Sequence, residues 1–154
     1  MQEKMSKFKF KLASWLIIFC TIILCNCSHG QQAIDHKENI VKYKTMLQIE
    51  TNNCFYAAQI AGSYQALNDF GNAIEYYQKA LANCPDSLFD KFQLGVCYYL
   101  TMNKDKGLSY MDKAIEGAKN KGDNEMVKMF TAEKEAWLAR WDSVRELEWN
   151  KGQM

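Results

Sequence analysis

The sequence has one proline, Pro85, and two histidines, His29 and His36. Scarce proline, beside abundant Ala, Lys, Glu, Leu, Met and Gln, favours helix over strand throughout. The histidines lie seven residues apart, with no cysteine or carboxylate at zinc-ligand spacing, so they supply no metal centre. No P-loop, dinucleotide-binding fingerprint or nucleophile elbow is present. Past the amino-terminal segment there is no Cys-x-x-Cys pair of the kind a redox enzyme needs. Glu133 and Glu135 would point in different directions from one helix, which makes them solvated charges rather than a general acid and base. No catalytic residue and no cofactor are expected.

An excess of charge of one sign is also missing. The net charge is +1, and the amino terminus accounts for it: residues 1–26 hold Lys4, Lys7, Lys9 and Lys11 against Glu3, leaving 15 basic and 17 acidic residues in the rest. A body with that balance, and no basic patch interleaved with aromatics, lacks the electrostatic footprint of a nucleic-acid binder.

The longest apolar run, from Leu12 to Cys25, is about 14 residues, short of the roughly 20 that span a bilayer as a helix. Preceded by lysines, it has the form of an export signal; the alternative is an uncleaved anchor that borrows flanking residues. At its end, Leu24-Cys25-Asn26-Cys27-Ser28 resembles a bacterial lipoprotein lipobox, with leucine three residues before the cysteine. That resemblance implies a signal peptide over residues 1–26, lipidation of Cys27, and a polar tether over residues 27–36. Ser28 after the cysteine implies an outer-membrane lipoprotein facing the periplasm; an inner-membrane anchor or a secreted chain are the alternatives. An ordinary signal with incidental cysteines is the simpler reading of the same residues.

What the chain does have is a repeat. Laying Cys54–Ser87 over the stretch from Leu88 gives a period of 34 residues. Ile60, Ala61 and Tyr64 fall on Leu94, Gly95 and Tyr98; Ala73, Tyr77 and Ala80 fall on Gly107, Met111 and Ala114. Ile60, Tyr64 and Leu67, and then Ala73, Ile74, Tyr77, Ala80 and Leu81, recur at helical spacing. Small residues let helices approach while tyrosines fill the gaps beside them. Asn68-Asp69-Phe70-Gly71 and Asn103-Lys104-Asp105 are turns, and Cys84-Pro85-Asp86-Ser87 ends one helix and caps the next.

This pattern resembles the tetratricopeptide repeat, with units at about 54–87 and 88–121. Ala57 and Lys91 stand where the family usually has an aromatic, and Lys119 where a proline would end the second unit. Two units do not cover their own apolar faces, so flanking helices are expected at 37–50 and 123–149. The expected fold is all-α: helical-hairpin repeats of about six helices in a domain spanning 37–151, closed by a long C-terminal helix. That last helix carries an apolar stripe of Met126, Met129 or Phe130, Trp137, Trp141, Val144 and Leu147.

The resemblance also implies a ligand surface, the concave groove lined by the first helix of each unit. By position it would comprise Phe55, Ala58, Gly62, Gln65 and Ala66, then Phe89, Phe92, Val96, Tyr99 and Leu100. None of these is the Lys, Asn or Arg of the family's carboxylate-gripping version, so an apolar partner segment is expected. Alternatively the chain's own long helix fills the groove, anchored by Trp137 and Trp141, with Trp149 left exposed to a partner or a membrane surface. Cys54 and Cys84 fall on the same side of the first hairpin, where a disulfide is sterically conceivable. Buried free thiols are the reading the residues favour slightly, and Cys97 is expected as a small core residue. The expected function is a non-catalytic protein-interaction scaffold held in a cell envelope by an N-terminal lipid anchor, its protein partner unidentified. An assembly accessory of an envelope or secretion complex, or a thiol-based enzyme, are the alternatives.

Overall fold

Four of the helices start on a side chain that accepts hydrogen bonds from their first free amides. The computed structural model describes residues 32–151, with side chains to residue 140. Within it lie α1 (residues 32–49), α2 (Cys54–Ala66), α3 (Phe70–Asn83), α4 (Leu88–Leu100), α5 (Lys104–Asn120) and α6 (Asn124–Lys151). Asn53 caps α2 by accepting hydrogen bonds from the amides of Phe55 and Tyr56, and Asp69 caps α3 through the amide of Asn72. At α4 the cap is Ser87, not Asp86; its hydroxyl accepts from the Asp90 amide and donates to the Asp90 carboxylate. Asp123 accepts from the amide of Met126 at the start of α6.

The helix-to-helix turns within the hairpins repeat as the sequence does. Asn68 and Met102, one period apart, both adopt positive φ, 59° and 66°. In each case the following amide reaches back five residues, Asp69 to the Tyr64 carbonyl and Asn103 to that of Tyr98, which satisfies the frayed carbonyls of the helix end. The second unit lacks a proline stop; Gly122, at φ 71°, turns the chain into α6 instead, with Asp123 reaching back to Ala118.

Helices α1 to α6 stack as successive antiparallel neighbours around three apolar clusters. Ile40 and Leu47 of α1 meet Ala57, Ile60 and Ala80; Ala61, Ala73 and Tyr77 meet Leu94, Cys97 and Tyr98; Phe92, Val96, Tyr99, Met111 and Ala114 meet Phe130 of α6. The helix α1 begins by residue 32, so residues 32–36, read from the sequence as tether, form its first turns. The segments before it, including the leader and Cys27, lie outside the described residues.

Small residues set the closest approach. A Cβ on Gly95 would sit 2.8 Å from the Gly107 carbonyl oxygen, and one on Gly107 would sit 2.7 Å from that of Gly95 and from the Tyr99 nitrogen. Here α4 and α5 touch backbone to backbone, where the first unit has Ala61 and Ala73. Gly107→Ala is therefore expected to lower the unfolding free energy by about 1–3 kcal/mol in urea titration, because the methyl meets atoms that cannot turn aside. Gly71→Ala, whose methyl would meet only the Asp69 carboxylate at 3.9 Å, should raise it by about 0.5–1 kcal/mol.

Candidate functional site

The two units carry different residues on the same face, and this decides which part of the concave surface stays open. Ala58, Gly62, Gln65 and Ala66 of α2 become Phe92, Val96, Tyr99 and Leu100 one period later in α4. The large set reaches α6. Phe92 and Phe130 are fully buried and stack with centroids 4.4 Å apart and planes 7° apart. The Tyr99 hydroxyl donates to the Trp137 carbonyl at 3.4 Å, and Met126, Val127, Trp137 and Leu138 pack around this centre. Lys134 pairs with Asp112 at the edge, tying α6 to α5.

Phe92, Val96, Tyr99 and the half-buried Leu100 are thus core rather than groove lining: the chain's own α6 occupies that half. The anchor is Phe130; Met129, its alternative in the stripe, is exposed, and Trp137 is half-buried beside it. Trp141, Val144, Leu147 and Trp149 have side chains outside the described set.

The small set leaves a groove of about 540 Å³. Phe55 and Phe89, one period apart, stand at its rim, 55% and 52% exposed. Ala58, Gln59 and Gly62 line the α2 side, Ser87 and Asp90 the α4 side, His36 and Asn39 the α1 side, and Tyr77 of α3 forms the floor. Phe55 is steadied by edge contacts with Tyr43 and Tyr56. Beneath, the Tyr77 hydroxyl donates to the Gln65 amide oxygen and the Gln65 amide nitrogen to Gln93, each at 2.8 Å, a polar relay joining α3, α2 and α4. Burial pushes the Tyr77 phenol far above its ordinary range, so it stays a neutral donor.

Cys54 and Cys84 form one wall of the groove and are joined as a disulfide, with Cα atoms 5.9 Å apart. The slight leaning of the sequence towards two free thiols is not what the structure has: the start of α2 and the end of α3 bring the two side chains together. A bridge closing a span of 30 residues is worth roughly 3–4 kcal/mol through the unfolded chain. Cys97 is buried in the core, and burial pushes its thiol up to about 12, which leaves it protonated and unreactive at neutral pH. Among the described residues no group of three His, Cys, Asp or Glu side chains could hold a metal ion, and no helix is long and apolar enough to cross a membrane.

His36, Asn39 and Tyr77 were not legible as lining. The signal that could have found the first two is the alignment of Tyr43 with Tyr77 and Met111 at the same 34-residue period, which places α1 in the register of a second helix of a unit.

Phe92→Ala is expected to cost about 3–5 kcal/mol of stability by chemical denaturation, as truncation of a fully buried ring does. Phe55→Ala, at the exposed rim, should change it by less than about 1 kcal/mol.

Residues 59–87 match the family described as Tetratricopeptide repeat. Among solved structures, the type III secretion translocator chaperone SycD of Yersinia enterocolitica superposes with a TM-score of 0.61 at 15% identity, over 72% of this chain and 77% of that one. The TPR domain of Sgt2 from Aspergillus fumigatus gives a TM-score of 0.53 at 24% identity, over 70% and 76%. No curated protein sequence matches the chain significantly. The fold is that of tetratricopeptide-type helical repeats, with one such repeat recognisable in the sequence itself.

Proposed function

We propose that the protein is a non-catalytic adaptor of a bacterial cell envelope, anchored through a lipid on Cys27 and binding an apolar segment of another protein in its open half-groove. The observation that carries the binding part is the unequal concave face. Phe55 and Phe89 remain half in solvent beside a groove that none of the described residues fills, while the equivalent surface one unit on is sealed by α6. Large aromatic side chains standing at the rim of an apolar trough suit the reception of a hydrophobic partner segment. Helical-repeat scaffolds of this type support protein–protein interaction, and the likeness to a secretion chaperone and to a TPR domain is in keeping with that role.

The anchor rests on the lipobox-like residues 24–28, and an outer-membrane position facing the periplasm is part of the same reading. The disulfide between Cys54 and Cys84 agrees with an exported, oxidising setting. A thiol-based enzyme loses its nucleophiles among the described cysteines, two being bonded to each other and the third buried and protonated.

Crosslinked co-purification of envelope proteins from cells tests both parts in one experiment. The chain carrying Phe55→Ala and Phe89→Ala should keep its helical circular dichroism and lose the crosslinked partner that the unaltered chain retains. Equal recovery with both rings removed would refute the groove. Cys27→Ser should leave the membrane fraction; a variant that stays there would refute the lipid anchor.

A further inference from the structure

The outer face of α1 carries three exposed aliphatic side chains among polar ones. Ile34, Val41 and Ile49 are 51%, 67% and 81% exposed, on a helix whose opposite side is spent on the core through Ile40 and Leu47. At about 100° per residue the three exposed side chains share one stripe, with Glu38 and Thr45 between them and the exposed Lys37 and Lys42 on its two flanks.

We propose that this face of α1 rests on the surface of the membrane that holds the acylated Cys27. The inference rests on the lipid anchor proposed above. Its carrying observation is distance along the chain: α1 has begun by residue 32, five residues after Cys27. Five residues extend at most about 18 Å, less than two helix diameters, so the first turn of α1 never leaves the neighbourhood of the headgroups. A stripe of aliphatic side chains held there reaches the interface at high effective concentration, and lysines on its flanks can place their charge among the headgroups while their stems lie flat. Glu38 within the stripe keeps the contact shallow.

A second copy of the chain fits the face less well. Three aliphatic side chains offer no more than roughly 300 Å² of apolar area, against about 800 Å² per partner in a stable interface. The membrane also gives the arrangement a consequence. His36 and Asn39, which line the groove, lie about 140–160° around α1 from Val41. With the stripe on the bilayer, the groove opens away from it, towards the space where a partner arrives.

Site-directed spin labelling tests the placement. The full chain with Val41→Cys or Ile49→Cys, and Lys128→Cys on α6 as reference, is produced in a bacterial host and extracted from its membranes. Each is labelled and reconstituted in vesicles of phosphatidylethanolamine and phosphatidylglycerol. Among the described cysteines none competes for the label, since Cys97 is buried and Cys54 and Cys84 are bonded. On the anchor reading Cys20 and Cys25 leave with the leader and the Cys27 thiol is blocked by its lipid. Collision with oxygen, which concentrates in lipid, relative to a water-soluble nickel chelate, should be several-fold higher at 41 and 49 than at 128. The mass of the extracted chain reads acylation of Cys27 separately. A mass without acyl chains overturns the anchor and the membrane contact with it. An acylated chain with labels at 41 and 49 as open to nickel as that at 128 overturns the contact alone. Labels at 41 and 49 shielded from both reagents overturn it in favour of a protein, a second copy included, covering the stripe.

Discussion

The stacked rings of Phe92 and Phe130 close a structure that two repeats could not close by themselves. Each helical hairpin buries one face on the preceding unit and offers another to the next, so the last unit of any such stack ends in an uncovered apolar surface. Here that surface includes Phe92, Val96, Tyr99, Met111 and Ala114, and α6 folds back over it with Phe130 at the centre. The long helix is thus the terminal cap of the fold. Without it the largest side chains of α4 would stand in water, and the backbone contact of Gly95 with Gly107 would join two helices with nothing on their open side.

The cap also divides the concave surface into a part spent on stability and a part left for binding. Where α4 has Phe, Val, Tyr and Leu, α2 has Ala, Gly, Gln and Ala at the matching places, and the missing volume is the groove. Its walls are cross-linked. The disulfide holds the end of α3 to the start of α2, and the relay from Tyr77 through Gln65 to Gln93 fixes the depth of the floor. A groove that is preformed loses less ordering entropy when a segment enters it. The exposed rings of Phe55 and Phe89 are the natural first contacts.

Much of this was legible in the sequence. The 34-residue period placed Ile60, Ala61, Ala73, Tyr77 and Ala80 in the core, where they are found buried, and the boundaries between α2 and α5 follow from the Asn68-Asp69 and Asn103 turns and from Pro85 to Ser87; the Asn53 cap of α2 was not read. The groove was legible only by halves. Phe92 and Phe89 look alike as letters, and what separates them is whether α6 lies overhead, a long-range packing outcome that helical spacing within α4 does not encode. The Ala-to-Phe and Gly-to-Val differences at matched positions did carry the answer, as a contrast in volume rather than in polarity. The cysteine pairing was open for a related reason: it depends on how two helix ends are brought together across the hairpin, not on either residue's neighbours. The start of α1 was placed late, at 37, because Gln32, Ile34 and Asp35 are exposed and add nothing to the core-facing stripe of Ile40 and Leu47 by which the helix was read; the structure has them helical all the same.

Hydroxyl-radical footprinting read by mass spectrometry tests the division of the concave face most directly. The rate of ring oxidation follows solvent access, and the four phenylalanines concerned have the same intrinsic reactivity. Phe55 and Phe89 should oxidise quickly in the folded chain, while Phe92 and Phe130 should be protected until it unfolds. Phe92 oxidising as fast as Phe89 under native conditions would contradict the account, since α6 would then not be seated on α4.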